Sequence, residues 1–114
     1  MRILLVDDDP EQVQVYRKLL ELGGWAVVTA AGVADAARIL IREAPDVLLM
    51  DLRLPKLEDG LALIRAAAGR PQPPRILVLS GWPEDLYELP EASLVAHILT
   101  KPVRSRVLFS ALKG

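Results

Sequence analysis

Val47-Leu48-Leu49-Met50-Asp51-Leu52-Arg53-Leu54-Pro55 is an apolar run that ends in a carboxylate and then turns at a proline. The form recurs along the chain. Ile3-Leu4-Leu5-Val6 ends in Asp7-Asp8-Asp9, Ile76-Leu77-Val78-Leu79 ends in Ser80-Gly81, and Ala96-His97-Ile98-Leu99 ends in Thr100-Lys101-Pro102. Short unbroken apolar runs of this kind read as strands buried on both faces, the pattern of a parallel sheet. Each places a polar group just past its C-terminal end, the edge where open α/β sheets bind ligands. Three carboxylates (Asp7, Asp8, Asp51), the Ser80 hydroxyl and the Lys101 amine would then converge. That set suits a hard divalent cation, a phosphoryl group and an aspartyl nucleophile.

Between these runs the sequence alternates with helical patterns. Asp9-Pro10-Glu11 opens a helix: Asp9 caps it, Pro10 fits its first turn and Glu11 favours the positive end of its dipole. Val13, Tyr16, Leu19 and Leu20 form its apolar stripe, and Gly23-Gly24 stops it. Residues 25–29 read as a strand. A helix over 33–43 follows, with Ala37, Leu40, Ile41 and Ala44 on one face, ended by Pro45-Asp46. A loop over 54–59 has Pro55 and Gly60 as turn residues and leads into a helix over 60–68. Residues 70–74, rich in proline, form a stiff connector too short to be a linker between domains. Strands are expected over 75–79 and 96–100, and a last helix over 103–112. Pro83 can start a helix between them that Pro90 must stop. The order is β-α repeated five times, hence a parallel sheet with helices on both faces.

Composition bounds the rest. The 114 residues make one domain, 1–114. With 52% hydrophobic residues the chain can bury a core, and a net charge of −1 argues against direct binding to nucleic acid or to an anionic membrane. There is no cysteine, so no disulfide or thiolate metal site. The chain opens on a strand and no apolar run approaches a membrane span, so a soluble, cytoplasmic protein without a signal peptide is expected.

Taken in order, Val6-Asp7-Asp8-Asp9-Pro10, Met50-Asp51-Leu52-Arg53-Leu54-Pro55 with Asp59-Gly60, Ser80-Gly81 and Thr100-Lys101-Pro102 resemble the signature of response-regulator receiver domains in two-component signalling, here in a stand-alone, single-domain form. The resemblance covers nearly the whole chain. It implies a flavodoxin-like (βα)5 three-layer fold with sheet order 2-1-3-4-5. It implies that a phosphoryl group passes from a sensor histidine kinase or histidine phosphotransfer protein to Asp51, dependent on Mg2+, with Mn2+ as a substitute. Asp8 and Asp51 would ligate the metal, Asp7 would help through water, and the Arg53 carbonyl would be a further ligand. Ser80 and Lys101 would hold the phosphoryl group. Such a protein catalyses only its own phosphorylation and dephosphorylation, and it signals through contacts with another protein.

Three features depart from the family's pattern. Ile98 stands where an aromatic residue is usual, Pro90 falls within the usual fourth helix, and the common Gly-Ala before the fifth strand is absent. Two other functions use similar residues. A haloacid-dehalogenase-like phosphatase would use Asp7 and Asp9 as its Asp-x-Asp pair, but Glu11 does not fit that motif and no late acidic pair follows Lys101. A pseudo-receiver would keep the fold as a binding module and never be phosphorylated. The remaining marked residues have plainer roles. His97, the only histidine, reads as a strand-end residue and Trp25 as strand packing. Trp82 reads as a loop hydrophobe or a lid, and Arg53 as a solvated side chain placed where it can shield or admit water.

Overall fold

A computed structural model describes residues 1–114. Five parallel strands lie in the order β2-β1-β3-β4-β5: β1 (Arg2–Val6), β2 (Ala26–Ala30), β3 (Val47–Met50), β4 (Arg75–Ser80) and β5 (His97–Thr100). The helices are α1 (Pro10–Leu22), α2 (Val33–Glu43), α3 (Leu57–Ala68), α4 (Glu84–Tyr87) and α5 (Ser105–Lys113), with a 3₁₀ turn over Pro90–Leu94. This is the expected flavodoxin-like architecture. No helix is long and apolar enough to cross a membrane.

The alternation of side chains along each strand divides the interior into two cores. Leu4, Val6, Leu48, Met50, Ile76 and Val78 pack on α2, α3 and α4. Ile3, Leu5, Val47, Leu49, Leu77 and Leu79 pack on α1 and α5. β1 and β3, the inner strands of this sheet with β4, are buried almost throughout, as their unbroken apolar runs require. β5 is different. It is an edge strand with both ends exposed and Ile98 and Leu99 half-buried, so the fourth apolar run is not a fully buried strand. Ile98 rests against the α2–α3–α4 core.

Local signals explain most boundaries. The Asp9 carboxylate accepts from the Glu11 N–H at 3.0 Å, with Pro10 in the first turn, as expected. Gly24 turns the chain out of α1 with φ 94°. Pro45 disfavours a helical Ala44, which takes φ 44° and ends α2. Pro90 breaks the segment between β4 and β5 into a single turn of α-helix and a 3₁₀ turn.

Other expectations are corrected. In α2 the buried residues are Ala36, Ile39 and Leu40, whereas Ile41 is 66% exposed and Ala44 lies at the surface. Both faces of this helix carry apolar residues, and the sheet selects the one that meets β1 and β2. Trp25 lies just before β2 and packs on Phe109 of α5, ring centroids 4.9 Å apart. The last helix starts at Ser105 rather than Val103, which packs from the loop against the α1–α5 core. Gly60 is not a turn residue ahead of α3 but sits inside its first turn. The Asp59 carboxylate accepts from the Lys56 N–H at 3.2 Å, which moves the helix start back to Leu57.

Gly60 is needed where it stands because a Cβ there would lie 1.7 Å from the carbonyl oxygen of Leu52. Helix propensity favours alanine over glycine by only about 1 kcal/mol. Displacing the Leu52 backbone costs more, so Gly60→Ala should destabilise the fold by about 3 kcal/mol in urea denaturation. An unchanged midpoint would show that the loop after β3 yields.

Candidate functional site

The site lies at the C-terminal edge of the sheet, where β1, β3, β4 and β5 end side by side. Asp7 follows β1 and is 4% exposed. Its Oδ1 accepts from the Asp9 N–H at 2.9 Å and its Oδ2 from Lys101 Nζ at 3.0 Å. Asp51 follows β3. Its Oδ1 accepts from the N–H of Leu52 at 2.7 Å and that of Arg53 at 3.4 Å, and its Oδ2 accepts from Lys101 Nζ at 3.1 Å. Ser80 ends β4 at 1% exposure, and its Oγ accepts from the Trp82 N–H at 3.0 Å. The Lys101 N–H donates to the Ser80 carbonyl at 2.9 Å, which fixes the loop after β5 to the end of β4. Asp7, Asp51 and Lys101 are thus in direct contact, and Ser80 ends β4, between the strands that lead to Asp51 and Lys101.

Lys101 pairs with Asp7 and Asp51 and leaves Asp8 unpaired. Carboxylate oxygens of Asp7, Asp8 and Asp51 lie within 4.8 Å of one another. Against these three carboxylates stands one ammonium, and the excess negative charge and hard oxygen donors fit a divalent cation such as Mg2+. A cavity of about 320 Å3 opens beside Asp7 and Asp8 and is bordered further by Gln14, Thr29 and Asp35. The Asp9 carboxylate caps α1, and the three-carboxylate group is Asp7, Asp8 and Asp51.

Electrostatics match this arrangement. Desolvation of the Lys101 ammonium is the largest influence and pulls its pKa down. Hydrogen bonds and charge from Asp7 and Asp51 together outweigh it, and the group stands above the usual lysine value. Partial desolvation is the largest influence on Asp8 and raises its pKa; a backbone hydrogen bond lowers it, and the charges of Asp7, Asp51 and Asp9 raise it further. Burial likewise raises the Tyr16 phenol, which lies on α1 near Lys101.

Two residues at the site had no signal in the sequence. One is Tyr16, which looked like ordinary helix stripe. The other is Asp85, whose Oδ2 accepts from Arg53 Nη2 at 2.6 Å and Nε at 3.1 Å across 32 residues. Arg53 is therefore not free in solvent: its guanidinium carbon also lies 4.6 Å from the centre of the Trp82 ring.

The chain belongs to the response regulator receiver domain family, whose model matches residues 3–113. It is 34% identical to the positive alginate biosynthesis regulatory protein of Pseudomonas aeruginosa, over 99% of this chain and 46% of that protein. It is 35% identical to the transcriptional regulatory protein GlrR of Escherichia coli, over 96% of this chain and 25% of that one. The chain thus spans half or less of the length of these relatives. Among solved structures, a CheY-like receiver domain from Methylobacillus flagellatus superposes with a TM-score of 0.89 at 25% identity, over 99% of this chain and 96% of that one. A receiver domain protein from Clostridium thermocellum does so with 0.88 at 27%, over 98% and 90%. The protein is a receiver domain of two-component signalling.

Because the folded pKa of Asp8 exceeds its unfolded value, the folded state binds more protons between the two. Stability then falls as pH rises through that window, and ionised Asp8 is a cost at neutral pH. Asp8→Asn should raise the melting temperature in metal-free buffer at pH 7 and lose that advantage below about pH 4. It should also weaken Mg2+ binding at least about tenfold by calorimetry. A fall in melting temperature without metal would give Asp8 a structural role.

Proposed function

We propose that Asp51 accepts a phosphoryl group from the histidine of a partner kinase or phosphotransfer protein, with Mg2+ or Mn2+ bound by Asp8, Asp51 and the Arg53 carbonyl, and Asp7 assisting through water. The observation that carries this is the Lys101 ammonium, held between Asp7 and Asp51 at the sheet edge where the buried Ser80 ends β4. A nucleophilic carboxylate, a fixed cation and a hydroxyl thus share one edge.

The Leu52 and Arg53 N–H groups hold one Asp51 oxygen and orient the carboxylate. An Asp51 oxygen attacks phosphorus, and the phosphorus–nitrogen bond breaks with its electron pair returning to the donor imidazole. Lys101 compensates charge on the transferring oxygens, and the Ser80 hydroxyl can donate to another. A bound divalent cation supplies the remaining charge neutralisation that lets an anion attack a phosphoryl group. Hydrolysis reverses the state: water attacks phosphorus, the bond to Asp51 breaks, and the carboxylate and inorganic phosphate are released.

On this reading the protein is not an enzyme acting on a separate substrate but turns over only its own phosphoryl group. Signalling passes through protein contacts. The absence of direct contact between this domain and nucleic acid and the cytoplasmic setting belong to the same proposal. Incubation with acetyl phosphate and Mg2+ should add one labile phosphoryl group by intact mass, and Asp51→Asn should add none. Equal labelling of the two proteins would move the acceptor elsewhere, and no labelling of either would favour a pseudo-receiver.

A further inference from the structure

Lys101 stands between Leu99 and Val103, and both of these rest on the α1–α5 core. The buried members of that core are aliphatic except for Tyr16, which alone among them carries a polar side-chain atom. Tyr16 is 8% exposed, and a phenol buried to that degree needs a hydrogen-bond partner. The Val103 backbone, in the loop between β5 and α5, hydrogen-bonds to the phenol oxygen. The Val103 N–H donates to no carbonyl, so the phenol is the acceptor that satisfies this half-buried donor. Gln12 lies one turn earlier on the same face of α1. Its Oε1 is buried and has no donor. Helical side chains lean towards the helix N-terminus, so the Tyr16 ring runs back towards Gln12. The phenol O–H needs an acceptor and Gln12 Oε1 needs a donor, and rotation of the Gln12 amide lets each satisfy the other.

We infer that Tyr16 is a positioning residue for phosphoryl acceptance: its phenol takes the Val103 N–H, donates its own O–H to Gln12, and so anchors the loop that sets Lys101 between Asp7 and Asp51. The inference rests on Asp51 being the acceptor. Tyr16 acts through the backbone. On one side of the loop the Lys101 N–H is fixed to the Ser80 carbonyl at 2.9 Å. On the other, Val103 is fixed to α1 through the phenol. The ammonium projects from between these two anchors to Asp7 at 3.0 Å and Asp51 at 3.1 Å. Releasing Val103 leaves only the anchor on β4, and the ammonium then samples positions away from the two carboxylates. A cation that must be oriented anew at each transfer slows it. Packing alone would need neither polar atom, since phenylalanine at position 16 and leucine at position 12 fill the same space.

The test uses isotopically labelled wild type, Tyr16→Phe and Gln12→Leu, which keep the packing and remove one polar group each. Tyr16→Phe should speed exchange of the Val103 amide about tenfold by NMR, the effect of one lost hydrogen bond, with strand amides such as those of Leu49 and Leu77 unchanged. Gln12→Leu should move the same amide in the same direction by a smaller factor. Phosphorylation by acetyl phosphate and Mg2+, followed by intact mass, should slow about two- to fivefold in Tyr16→Phe. Mg2+ affinity by calorimetry should stay near wild type, because the proposed metal ligands lie outside this loop. An unchanged Val103 amide in Tyr16→Phe would overturn the anchor. Faster Val103 exchange with an unchanged labelling rate would overturn its role in positioning Lys101. Uniform acceleration of all amides would reduce Tyr16 to packing, and no response in Gln12→Leu would overturn the part given to Gln12. Each of these results leaves the Asp51 assignment standing. Absence of any phosphoryl group on the wild type would overturn that assignment and the positioning role with it.

Discussion

One ammonium group organises the site. Lys101 Nζ lies 3.0 Å from Asp7 and 3.1 Å from Asp51, two carboxylates that would otherwise repel across a sheet edge. Its side chain is 17% exposed, so desolvation works against the charge, and the two partners more than compensate. Removing it would leave two poorly solvated carboxylates facing each other, the costly half of a broken ion pair. The same contact draws the end of β5 towards β1 and β3, although β5 pairs only with β4. The pairing reaches across 94 residues and makes the chain's two ends depend on each other.

The ammonium can do this because the sheet is parallel and its inner strands are buried on both sides. Every strand must then be followed by a crossover, and every strand end falls on the same edge. The two cores divide the strand residues by alternation, so the residue after each apolar run leaves the interior with its backbone still held by the sheet. Asp7 and Ser80 are accordingly polar yet almost fully buried. The backbone N–H groups of Asp9, Leu52 and Trp82 meet the side-chain oxygens of Asp7, Asp51 and Ser80 in turn. These fixed donors pre-orient the site before any ligand arrives.

The segment between β4 and β5 is held differently. Pro90 prevents a continuous helix, and the segment keeps its place by Leu86, which is fully buried, and by two ion pairs to other elements. Arg53 reaches Asp85, and Arg65 of α3 reaches Glu91 at 2.6 Å. Surface pairs of this kind are screened by solvent and contribute little. The segment is thus anchored by the buried Leu86, by Leu89, Ala92 and Val95 packed against the same core, and by weaker polar contacts.

The sequence alone determined the βα order, the four strand ends, the cap at Asp9, the break at Pro90 and the identity of the converging groups. These follow from local rules: alternation, capping geometry and the missing N–H of proline act within a few residues. Tertiary structure decided what depends on residues far apart. It turned α2 so that Ile39 rather than Ile41 is buried, because both faces were apolar and only the sheet could choose. It left β5 half-exposed at the edge, which an apolar run cannot announce. It placed Gly60 inside α3, because the carbonyl that excludes a side chain there belongs to Leu52 in the preceding loop. It also brought Asp85 to Arg53 and gave Lys101 to Asp7 and Asp51 rather than Asp8. Such pairings are set by the order of strands in the sheet, and no local periodicity encodes a contact across 32 or 94 residues.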